Sequence, residues 1–138
     1  MPSIKNNSNF SKVIAIVGPT GSGKTEWAKI LANKFQAKII SFDSRQIYKG
    51  MDIGTGKDKT FKQALIDIIK PDEPFSVARY QKLANGLINQ YLTMKTLPLL
   101  AGGTGLYLEA VLYGYAIPGL QKQSQTLREK LDKLNDNE

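Results

Sequence analysis

The 138-residue chain contains no cysteine and no histidine. The first absence excludes a disulfide framework and thiolate metal sites; the second removes imidazole both as a ligand and as the usual general base. Proton transfer therefore falls to carboxylates, lysine or tyrosine. Arginine is scarce as well: Arg45, Arg79 and Arg128 are the whole set. No apolar run approaches the ~20 residues that cross a bilayer, so no membrane association is expected. The start, MPSIKNNSNFSK, is polar and lacks an apolar signal core. It reads as a flexible lead-in to a cytoplasmic protein.

Hydrophobic residues make up 41% of the chain and charged residues 22%, the balance of a soluble globular domain with a real core. Lysine and arginine total 19 against 12 acidic residues, a formal net charge of +7. Such an excess favours a polyanionic partner. The lysines are scattered rather than clustered, so charge alone leaves nucleic-acid binding and simple solvation equally open.

The most specific motif is GPTGSGKT, Gly18 to Thr25, directly after the apolar run Val13 to Val17. It fits G-x-x-x-x-G-K-[ST], in which glycines admit backbone N–H groups to phosphate oxygens, the lysine reaches the terminal phosphates and the hydroxyl meets Mg²⁺. Gly18, Gly23, Lys24 and Thr25 occupy the defining positions, with Pro19, Thr20, Gly21 and Ser22 between them. A strand precedes the loop. Glu26 to Phe35 then reads as a helix with Trp27, Ile30, Leu31 and Phe35 on one face.

Alternation continues downstream. Ala37 to Phe42 reads as a buried strand that delivers Asp43 at its carboxyl end, where open α/β sheets bind ligands. Leu65 to Ile69 reads as a strand, with a helix from Thr60 as the alternative. Ser76 is placed to cap a helix bearing Tyr80, Leu83, Leu87, Ile88 and Tyr91. Thr96 to Ala101 reads as a strand entering Gly102-Gly103-Thr104-Gly105 and a helix from Leu106 to Leu112. The order predicts an α/β fold, a phosphate-loop NTPase-like parallel sheet flanked by helices. Residues 1–11 are assigned to a flexible segment, 12–114 to the core, and 115–138 to a linker and the start of a helical region marked by Leu127, Leu131 and Leu134. That last apolar stripe has no evident partner, and the chain is expected to be the front part of a longer polypeptide.

Two further stretches concentrate polar chemistry. SFDSRQIYKGMDIGTGK, Ser41 to Lys57, carries Asp43, Ser44, Arg45, Gln46, Tyr48, Lys49, Asp52 and Lys57 around glycine turns. Glutamine and arginine can address bases and lysine can meet phosphate, although a solvated loop has the same composition. Asp43 stands apart as the leading carboxylate for base or metal duty. AGGTGLY, Ala101 to Tyr107, sets glycines and a hydroxyl at a helix N-terminus, either an anion site or a tight turn. An ordinary phosphate-loop NTPase has an acidic residue at the end of a later strand. The strand ending at Ala101 has none, which disfavours NTP hydrolysis and leaves a nucleoside or nucleotide kinase open.

Taken in order, GPTGSGKT, DSRQIYKGMDIGTGK, PDEPFSVARYQ and AGGTGLYLEAVLYG resemble the tRNA dimethylallyltransferases, also called tRNA isopentenyltransferases, from about Lys12 to Gly114. The resemblance implies transfer of a dimethylallyl group from dimethylallyl diphosphate to N6 of an adenosine beside the tRNA anticodon, with diphosphate leaving. It implies that the loop, with Mg²⁺ near Thr25, grips the diphosphate, and that Asp43 is the general base. Asp43, Ser44, Arg45 and Gln46 match the family's segment for the anticodon stem-loop, and Thr104 matches its GGT threonine beside the diphosphate and the amine. A monomer is expected. The family's commoner GTAK stands here as GTGK, with Gly56 for alanine. Relatives are about twice as long, with a helical tRNA-binding insertion and a further basic residue in their distal half. The 138-residue chain alone is therefore expected to bind diphosphate weakly and transfer little. The competing expectations are a kinase and a non-catalytic phosphate- or tRNA-binding fragment.

Overall fold

The computed structural model describes residues 12–117. The expected N-terminal segment and the helix around Leu127, Leu131 and Leu134 lie outside the described residues. Four strands, β1 (Ile14–Ile16), β2 (Lys38–Ser41), β3 (Gln63–Ala64) and β4 (Pro98–Ala101), form one sheet in the order β1-β4-β2-β3. Every pairing is parallel. Helix α1 (Lys24–Phe35) follows β1, and α2 (Val77–Thr93) and α3 (Gly105–Tyr113) flank β4 in the chain. This is the α/β architecture expected from the alternation of elements.

Alternation along each strand divides the core in two, because successive side chains leave opposite faces of the sheet. Ile39, Leu99 and Ala101 pack with Ala28 of α1, joined by Ile14, Ile16, Leu31 and Ala32. Ile40 and Leu100 pack on the other face with Tyr80, Ala84 and Ile88 of α2 and Tyr107 and Leu108 of α3. Leu99 and Leu100 are both fully buried, one on each face. α2 starts as expected, with the Ser76 hydroxyl accepting the Arg79 N–H at 3.2 Å.

Two expectations fail. On α1, Trp27, Ile30 and Phe35 are 59%, 48% and 51% exposed. The face that packs is Ala28, Leu31 and Ala32, turned one residue from the bulky stripe, because small side chains let the helix lie close on β4. Leu65 to Ile69 is neither a strand nor a helix. Leu65 and Asp67 have φ of 63° and 53°, left-handed values that interrupt an extended chain. Strand pairing ends at Ala64, and the segment instead donates Asp67 N–H to Gln46 O and Ile68 N–H to Ile47 O, then bridges Tyr48 at Ile69. Leu65 and Ile69 are still buried.

β4 and β2 converge beyond their last paired residues. Phe42 N–H donates to Ala101 O, and Thr104 N–H donates to Phe42 O, both at 3.0 Å. Between them a β-carbon on Gly102 would lie 2.6 Å from the Phe42 carbonyl carbon, a backbone atom that cannot give way. Gly102→Ala is therefore expected to cost about 2 kcal/mol by overpacking, read as a lower urea midpoint. Gly103→Ala, whose β-carbon would meet only the Asp43 Oδ2 at 3.7 Å, is expected to unfold close to the parent midpoint.

Candidate phosphate and base site

The carboxyl ends of β1, β2 and β4 open on one cavity of about 380 Å³, lined by Thr20, Gly21, Gly23, Lys24, Thr25, Asp43, Gln46, Thr55, Gly56, Gln63 and the Ala101–Gly103 turn among others. Gly23 caps α1 with a φ of 80° and offers no side-chain acceptor to the first helical N–H groups. Those groups, and the left-handed Gly21 before them, are free to meet an anion, the arrangement by which helix N-termini hold phosphate. The Lys24 ammonium folds over the loop, donating to Pro19 O and lying 3.5 Å from Ser22 Oγ.

Asp43 sits across the cavity from that loop. Its Oδ1 accepts the Arg45 N–H at 2.9 Å, which fixes the carboxylate two residues beyond β2. Its Oδ2 faces Gly103. Behind it the Thr104 hydroxyl accepts the Ser44 N–H at 2.9 Å and donates to Ser44 Oγ at 3.1 Å, tying the turn after β4 to the turn after β2. Beneath lies Ser41, fully buried, whose backbone oxygen accepts the Tyr80 hydroxyl at 3.1 Å. Burial pushes the Tyr80 phenol well up, and Tyr107, stacked on it at 4.2 Å, is raised by burial, by neighbouring Tyr48 and by the Asp43 charge.

The sequence-derived residues thus separate into four groups, the first being Gly18, Pro19 and Ser22 of the loop, which do not line the cavity. Thr20, Gly21, Gly23, Lys24, Thr25, Asp43 and Gln46 meet at the cavity, whereas Ser44 and Thr104 support Asp43 from behind and Arg45 lies exposed beside it. Gln46 is already engaged: its amide donates to Thr55 O at 3.1 Å and Gly56 O at 3.3 Å, and its oxygen accepts from Ser41 Oγ at 3.0 Å. Gln63, at the start of β3, lines the cavity and went unmarked, since a lone glutamine in a polar stretch carries no signal of its strand position.

The Gly50–Lys59 loop is held by charge. The Lys57 side chain, 1% exposed, reaches Asp67 at 2.7 Å, Asp52 at 3.3 Å and Tyr48 O, while Lys59 meets Asp52 at 2.8 Å and Asp67 at 3.2 Å. Asp58 joins the loop to α1 through Lys29 at 2.6 Å. Among the described residues no cluster of three acidic side chains is placed to hold a metal, and no helix is long and apolar enough to cross a membrane.

Comparison with known proteins fits this geometry. The family model described as IPP transferase matches residues 46–138, and the one described as isopentenyl transferase matches residues 11–66. The chain belongs to the IPP transferase family. It is 51% identical over 111 residues to a tRNA dimethylallyltransferase of Roseiflexus sp. (strain RS-1), covering 77% of this chain and 36% of that protein. Among solved structures, the full-length tRNA isopentenylpyrophosphate transferase of Bacillus halodurans superposes with a TM-score of 0.76 at 38% identity, over 93% of this chain and 49% of that one. A eukaryotic dimethylallyltransferase acting on tRNA superposes with a TM-score of 0.71 at 26% identity, over 91% of this chain and 32% of that one. The chain therefore spans from about a third to about half of the length of these IPP transferase relatives.

Acid should loosen the charged loop. The Lys29 hydrogen bond, helped by Thr60, holds the Asp58 carboxyl down to about 2; Lys59 and Lys57 lower Asp52, and Lys57 then Lys59 lower Asp67. Carboxyls depressed in the fold bind protons less readily than in the unfolded chain, so their stabilisation is complete above the ordinary value of 3.8 and is lost as pH falls towards 2. The unfolding midpoint is expected to be level from neutrality to about pH 4 and then to drop, with a shallower drop in Asp58→Asn. A midpoint unchanged between pH 4 and 2 would contradict the assignment.

Proposed function

We propose that this chain carries the donor-binding loop and the general base of a tRNA dimethylallyltransferase. The observation that carries the reading is the placement of one carboxylate, Asp43, across a single cavity from the anion-binding loop, with no acidic residue at the end of β4. In the reaction the C1–O bond of dimethylallyl diphosphate breaks, diphosphate leaves, and the adenine N6 forms the new C–N bond. Asp43 takes the proton that N6 sheds. Negative charge grows on the departing diphosphate, so the loop amides and Lys24 stabilise the transition state more than the ground state.

The Thr25 hydroxyl, which lines the same cavity, is a hard oxygen donor of the kind that suits Mg²⁺ completed by water and phosphate oxygens. When bound there, Mg²⁺ would supply further charge neutralisation at the diphosphate. Thr104 and Ser44 keep Asp43 in place, Arg45 is free to meet the anticodon stem-loop, and Gln46 acts chiefly by holding Thr55 and Gly56 at the cavity wall. The excess of positive charge suits an RNA backbone. The same reading places the protein in the cytoplasm as a monomer.

Thermal unfolding with Mg²⁺ and alternative ligands tests the reading, since a ligand that binds the folded state stabilises it by about 2.7 kcal/mol at a hundred times its Kd. Dimethylallyl diphosphate is expected to raise the midpoint more than ATP, and Lys24→Ala to abolish the rise. A larger shift with ATP would favour phosphoryl transfer instead. Asp43→Asn, which leaves the loop and Lys24 in place, is expected to keep the diphosphate shift, whereas Lys24→Ala loses it.

A further inference from the structure

We propose that Ile53 is an apolar wedge that enters the loop of the RNA as the target base leaves its stack. The inference rests on the reading of the substrate as RNA. Ile53 is 99% exposed. A lone exposed aliphatic side chain is commonplace; stiffness and position set this one apart.

The turn that carries Ile53 is tied on both sides of it. Thr55 Oγ1 donates to Met51 O at 2.7 Å and lies 3.2 Å from Asp52 O, and the Asp52 carboxylate is held by Lys57 and Lys59. Gln46 fixes the carbonyls of Thr55 and Gly56. The turn therefore holds Ile53 out in water instead of letting it fold back onto the core. Two residues further on, Thr55 and Gly56 form part of the wall of the cavity that contains Asp43 and Lys24. Ile53 thus precedes the cavity wall by two residues in a braced turn that also carries the partly exposed Met51.

An adenine stacked in an RNA loop cannot present N6 inside that cavity until it is extruded. Proteins that open a stack commonly push an aliphatic side chain between the bases, because apolar surface covers the faces that unstacking leaves in water. Ile53 is β-branched and therefore restricted at χ1, so it loses little freedom on insertion. The excess positive charge draws in the RNA backbone, while Ile53 acts only on the bases.

A stem-loop RNA with 2-aminopurine at the target adenine tests this, because its fluorescence rises on unstacking, while anisotropy of the same sample reports binding. The parent chain is expected to bind and to raise the fluorescence. Ile53→Ser is expected to bind with little change in affinity and an unchanged unfolding midpoint, yet to lose about fivefold in the fluorescence rise. Ile53→Leu should restore it. An Ile53→Ser chain that binds RNA with the full rise overturns the wedge and leaves the transferase reading standing. A parent chain that binds without any rise does the same, and a parent chain that does not bind RNA overturns both.

Discussion

The close approach of two backbone turns, with Gly102 against Phe42, is the constraint on which the site depends. The strands β2 and β4 are neighbours in the sheet, but pairing alone would leave their following loops free to diverge. Hydrogen bonds from Phe42 to Ala101 and from Thr104 to Phe42 carry the contact past the sheet edge. Asp43 and Ser44 are thereby delivered against Gly103 and Thr104, although about sixty residues separate the two turns in the chain. Without a side chain at Gly102 the two backbones touch; any side chain there would part them.

On the other side of the cavity the solution is different. The Gly18–Thr25 loop needs no distant partner to take its shape, since Gly21 and Gly23 adopt left-handed backbone and α1 begins at once. The Gly50–Lys59 loop is intermediate. It is too long to be fixed by its own turns, and buried Lys57 anchors it through two aspartates, one inside the loop and one beyond β3. The site is thus assembled from one locally determined wall, one held by backbone contact and one held by charge.

That division explains what was legible in the sequence. GPTGSGKT was readable because spacing alone determines the loop, and Asp43 because a β-rich run ends just before it. The α2 cap was readable because Ser76 bonds only three residues ahead. The packing face of α1 was not, since apolar bulk pointed to Trp27 and Ile30 while contact with β4 selected Ala28 and Ala32. The run Leu65 to Ile69 looked like a strand because its side chains are buried, but its backbone spends its hydrogen bonds on residues 46–48. The hydrogen bonds of Gln46 were also hidden: its amide braces two carbonyls of a neighbouring loop, a contact that depends on tertiary structure.

Helix α1 carries the chain's single tryptophan two residues after Thr25, more than half exposed. An indole in that position emits from a largely aqueous setting while attached to the turn that begins α1 at the candidate site. Its emission is therefore a built-in optical probe of the Gly18–Thr25 loop, in a protein with no second tryptophan to obscure it.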